Sequence, residues 1–205
     1  MKVGKVLATL AVGALVGAVA YVGFGTANGD INLAKVSDNT YLSGKPTNAD
    51  VVKFKLAPSN DQLAQCMPHV KVDISVALKT DATGRDIFKV DMSGAPAKTS
   101  FTIFLLEQPA FPFGAAEYIG DVNTDKYGRG HAELRLIVEE AFSSTLVGKD
   151  RVRKELNHVG MWFADPKDDD FCLGAGKGPI TPFDGDNEAG IQAFNSAKLK
   201  YAPIP

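Results

Sequence analysis

Apolar and polar residues alternate through the middle of this chain. In Val70–Leu78, Val70, Val72, Ile74, Val76 and Leu78 are separated by Lys71, Asp73, Ser75 and Ala77. A period of two puts every second side chain on one face of a strand. Phe88, Val90 and Met92 repeat the pattern, as do Ala132, Leu134, Leu136 and Val138. Residues 51–58 predict a first strand ended by Pro58, 117–122 another, and 158–164 a further alternating one. Phe101–Glu107 is apolar at successive positions and predicts a strand covered on both faces. Residues 150–157, DRVRKELN, read as a short helix capped by Asp150. Gly, Pro and Asp turns separate the runs. The pattern predicts an all-β fold, an antiparallel β-sandwich of seven to nine strands, Ig-like or jelly-roll-like.

The first 27 residues break this rhythm. Lys2 and Lys5 precede a charge-free apolar run from Val6 to Phe24, and small residues follow at 25–27. That is the layout of an export signal, and the run is also long enough to span a bilayer as an anchor helix. Residues 28–50 are polar and turn-rich, a stalk or linker, which leaves 51–205 as the sandwich domain. The bulk of the chain is therefore expected outside the cytoplasm, secreted or held at the membrane through residues 6–24. Removing Lys2 and Lys5 lowers the net charge from −2 to −4, which argues against a nucleic-acid partner. In an exported chain the two cysteines, Cys66 and Cys172, are expected to form a disulfide, with two free thiols as the alternative.

Candidate chemistry is sparse. Asp121, Asn123 and Asp125 alternate like calcium ligands, but Lys126 stands at the sixth place and Ala132 at the twelfth, where a calcium loop needs Gly and an acid. A tight hairpin connection suits Asn123–Gly130 better. A second acidic stretch holds Asp168, Asp184, Asp186 and Glu188; calcium there is the only cofactor the residues suggest, without a fixed motif. Cys66-Met-Pro-His69 is similar to a cupredoxin copper run, yet no His precedes it. Three histidines are about half what a copper–zinc dismutase sandwich needs. No Gly-x-Ser-x-Gly turn is present, so a hydrolase acting on a surface polymer stays a minor alternative. Lys149, Arg151, Arg153 and Lys154 form a basic cluster, a solvated face or a contact with lipid headgroups. Phe111 and Phe113 in a Pro-rich loop, and Tyr201 in the tail 197–205, are candidate partner contacts. The tail could lie along a neighbour's sheet edge.

The stretches FTIFLLEQPAFPFGAAEYIGDVNTDKYGRGHAEL (101–134), HVGMWFADP (158–166) and TPFDGDNEAGIQAFNS (181–196) resemble exported proteins of actinobacteria and their neighbours. The resemblance spans about residues 66–196, and it implies export and a β-rich fold. It carries no activity and no site residues. The function expected is non-catalytic: an extracytoplasmic domain that binds a protein partner or joins a cell-surface assembly, with self-assembly included. A calcium- or small-ligand-binding module on the 165–190 loop is the alternative.

Overall fold

A computed structural model describes residues 51–78, 84–183 and 187–204; the expected signal or anchor helix and the stalk lie outside them. In chain order the described elements are β1 (Val51–Pro58), α1 (Asp61–Cys66), β2 (Lys71–Ala77), β3 (Asp86–Ser93), β4 (Ser100–Leu106), β5 (Ala116–Asn123) and β6 (Gly130–Leu136). Then come β7 (Phe142–Val147), β8 (Asp150–Glu155), β9 (His158–Phe163), a 3-10 turn (Pro166–Asp169), α2 (Asp170–Leu173), β10 (Thr181–Phe183), β11 (Asn187–Ala189) and β12 (Gln192–Asn195).

Eight strands form one antiparallel sheet in the order β5-β4-β9-β12-β1-β2-β3-β6. Its edges, β5 and β6, come together through a bridge between Thr124 and Gly130, so the sheet curls nearly closed. Alternation explains the curl. Val52, Phe54 and Leu56 of β1, Val72, Ile74 and Val76 of β2, and Phe88, Val90 and Met92 of β3 are all buried. They meet Phe101, Ile103 and Leu105 of β4 and Val159, Met161 and Phe163 of β9. Each such side chain contributes about 1.5–3 kcal/mol by leaving water.

The stretch around Asp121–Gly130 is the tight connection expected. The Asp125 carboxylate accepts from the backbone N–H of Tyr127 at 2.7 Å and of Arg129 at 3.0 Å. It is spent on the turn, and Gly128 takes a φ of 71° that favours glycine.

The disulfide is present. Cys66 Sγ and Cys172 Sγ are bonded, tying the end of α1 to α2 across 106 residues of chain. Asn60 caps α1, its side chain accepting from the Leu63 N–H at 2.9 Å. Among the described residues no helix is long and apolar enough to cross a membrane.

The helix expected at 150–157 is a strand. Val152 and Leu156, four apart, fit a helical stripe, but β7 precedes them and Gly148 takes a φ of 64°. The two-residue turn Gly148-Lys149 then pairs Val147 with Asp150 and Phe142 with Glu155. Near the C-terminus β12 lies between β9 and β1 with all four residues buried; in the tail 197–205 Ile204 is buried, its N–H donating to Asn157 O of the same chain at 3.2 Å.

Candidate functional site

β4 brings the site into being because its sequence is apolar in both registers. Phe101, Ile103 and Leu105 point into the core, which turns Phe104 and Leu106 outward. Trp162 of β9 also faces out, yet Trp162 and Phe104 are 2% and 6% exposed. The cover is the β4–β5 loop, residues 107–115, folded back across the outside of the sheet.

Four hydrogen bonds hold that loop. The Glu107 N–H donates to Ala115 O at 2.8 Å and the Gln108 N–H to Phe113 O at 2.9 Å. The Ala115 N–H donates to Glu107 Oε2 at 3.1 Å. Gln192 Nε2 of β12 reaches over to Pro109 O at 3.1 Å, its own Oε1 accepting from Asn195 Nδ2 at 2.9 Å. Gly160, opposite Phe104 in the register, permits the close approach. A Cβ there would sit 2.7 Å from Gln192 Nε2, Leu106 Cδ1 and Trp162 Cζ3.

The result is a row of rings across β5, β4, β9 and the loop. Tyr118 meets Phe104 edge-on at 5.6 Å between centroids, and Phe104 meets Trp162 at 5.4 Å. Trp162 meets Phe113 at 5.0 Å, and Phe113 meets Phe111 at 5.9 Å. Edge-to-face pairs of this kind contribute about 0.5–1.5 kcal/mol each beyond burial. The middle of the row is covered and its two ends are open: Phe111 is 84% exposed and Tyr118 51%. The Phe111–Pro112 peptide bond is cis.

Two titratable groups flank the row. The Tyr118 hydroxyl donates to Asp121 Oδ2 at 2.6 Å, and this bond pushes the phenol pKa up to about 12. Glu107 is held below its ordinary value, first by the hydrogen bond from Lys154, then by the Ala115 N–H. Its Oε1 lies 2.8 Å from Lys154 Nζ of β8, so the covering loop is tied to the β7–β8 hairpin.

The partner contacts expected from sequence therefore separate. Phe111 is open to solvent, and Phe113 is half buried on Trp162. Tyr201 is exposed, but it belongs to the C-terminal segment, whose Leu199 lines a groove with Lys53, Lys55, Asp73 and Ser75. Sequence reasoning missed Phe104, Trp162 and Tyr118. The double-faced apolar character of Phe101–Leu106 was the available signal.

Of the candidate calcium ligands, Asp184 and Asp186 lie outside the described residues. Asp168 follows the 3-10 turn's Asp165 cap and has a raised pKa, through burial first and Asp165 second. Glu188 is exposed on β11. Among the described residues no three His, Cys, Asp or Glu side chains stand where they could hold a metal ion. His131 pairs with Asp91 at 2.7 Å, while His158 sits beside Ser196 with its pKa lowered by burial. The chain matches no protein-family model and no curated protein.

Proposed function

We propose that this is a non-catalytic extracytoplasmic domain that binds a protein partner through the open ends of the aromatic row. The observation that carries the reading is Phe111. A phenylalanine 84% exposed, at the end of a ring-to-ring path into Trp162, is an aromatic anchor of the kind that fills a partner's pocket. The loop on either side of the ring is already hydrogen-bonded, which lowers the ordering cost of binding. The disulfide is compatible with a place outside the cytoplasm, and the apolar run Val6–Phe24 after two lysines supports export. We read the curled sheet as a sandwich with layers β5-β4-β9-β12 and β1-β2-β3-β6. The support is the β1–β12 joint, where only Ala57 and Pro58 pair across.

The test is co-purification from native membranes with full-length tagged protein. Wild type is expected to bring down a stoichiometric companion, and Phe111→Ser to lose most of it while melting at the wild-type temperature. A companion retained in full by Phe111→Ser, or a clean monomer from wild type, rejects the reading.

A further inference from the structure

The β7–β8 hairpin is the least explained part of the molecule. It forms its own two-stranded sheet outside the eight-stranded one, and most of its side chains are exposed. A soluble domain normally has little use for Leu146, Val147 and Val152 in water, with exposures of 62%, 55% and 37%. Cations are interleaved with them: Lys149 and Arg151 flank Asp150 at the tip, while Arg153 is paired with Glu155 nearer the base.

We propose that this hairpin is an arm that docks on an anionic phospholipid bilayer. Three observations point there. First, the apolar side chains of the tip lie on both faces of the ribbon. The register places Leu146 with Arg151 and Phe142 with Glu155 on one face, and Thr145 with Val152 and Val147 with Asp150 on the other. A flat protein surface would bury one face and strand the other. A headgroup layer surrounds a wedge on all sides, so the tip can bury both faces while Lys149 and Arg151 stay at phosphate level. Second, the charge favours lipid phosphate over another copy of this chain, because two such cationic tips repel.

Third, strand polarity sets the arm at a particular end. Val51 pairs with Ala77, Asp86 with Leu136, and Leu106 with both Ala116 and His158. So β1 begins at the end of the sheet where β6 runs out, the end from which the hairpin departs. The first described strand therefore starts at the arm's end. The acidic segment Asp165–Asp170 follows β9 at the opposite end. Phe142 braces the base of the arm, with the Arg153 guanidinium 4.0 Å over its ring. This docking is separate from the aromatic row and does not depend on it.

The test uses the full chain bound to vesicles and amide hydrogen exchange of residues 142–155. Phosphatidylcholine vesicles serve as the reference and phosphatidylglycerol vesicles as the probe, so that any binding through the apolar run 6–24 is common to both. Exchange in the hairpin is expected to slow about tenfold with phosphatidylglycerol and not with phosphatidylcholine. High salt should remove the difference. Lys149→Glu/Arg151→Glu should abolish it, each cation near such a surface contributing roughly a fivefold effect. Equal exchange on the two lipids, or protection unchanged in the charge-reversed variant, overturns the proposal. So does protection that grows with protein concentration without vesicles, which would mean a second copy covers the arm. Unchanged melting of the variant shows that the domain still folds.

Discussion

The Glu107–Lys154 pair can be tested on its own, because among the described residues it is the one ion pair that joins the covering loop to the β7–β8 arm. The side chains are 21% and 33% exposed, which is more shelter than the other ion pairs of the described residues have. Exposed pairs contribute about 0.2–1 kcal/mol. Partial burial and a 2.8 Å charge-assisted hydrogen bond put this one near the top of that range, about 1 kcal/mol. The perturbation is a double-mutant cycle of Glu107→Gln, Lys154→Met and the double variant. Gln keeps an oxygen for the Ala115 N–H, so the loop's backbone bond is preserved in every arm of the cycle. Urea unfolding at pH 7 should give a coupling near 1 kcal/mol, equivalent to about 2–4 °C in Tm for a domain of this size. Glu107 is held below its ordinary pKa in the folded state. Its contribution is therefore present above the unfolded value, about 4.3, and lost as pH falls through the lower folded value. The coupling should vanish when the cycle is repeated below that folded value. A coupling within about 0.3 kcal/mol of zero at pH 7, or one that survives acid, would show that loop and arm are not held together this way.

Other outcomes follow from the same geometry. Reducing the disulfide, or replacing both cysteines by serine, should cost about 4.7 kcal/mol on the loop-entropy model, read from the urea midpoint with and without reductant. Gly160→Ala should lose about 1–3 kcal/mol by pushing on Trp162, Leu106 and Gln192, with a changed Trp162 fluorescence; an unchanged emission would mean the row tolerates the methyl. Asp169 is fully buried, with Oδ2 accepting from the Ile191 N–H at 3.0 Å and Oδ1 without a hydrogen-bond partner among the described residues, and burial raises its pKa. Its charged form therefore opposes folding: wild type should lose stability relative to Asp169→Asn as pH rises from the ordinary carboxylate range through the raised value. Superimposable pH profiles of Tm for the two proteins would refute that account.

The strands were legible wherever one face met water. Lys71, Asp73 and Ser75 of β2 mark the solvent side so regularly that the core could be named from spacing alone. Legibility failed where charge was not a marker of facing. In β8, Asp150, Arg151, Arg153, Lys154 and Glu155 carry charge in both registers, because both faces of the arm are wet, and a run charged at every turn fits a helix as well as a strand. β9 is the converse. His158–Phe163 alternates by sequence, yet five of its six residues are buried, because Gly160 and Trp162 lie under a loop that starts some fifty residues earlier in the chain.

That long-range cover is also why the site could be seen only in halves. Phe111 and Phe113 stand in the loop and invite a contact reading from composition. Phe104 and Trp162 look like ordinary core. Only the fold shows that the outward register of β4 needs a lid, and that the lid ends in a ring it cannot itself bury. Local pattern assigns each residue to inside or outside; it has no term for an outer face that becomes an inside when another segment folds over it. Phe113, half buried between the covered Trp162 and the open Phe111, marks that boundary, where packing that stabilises the domain passes into open surface.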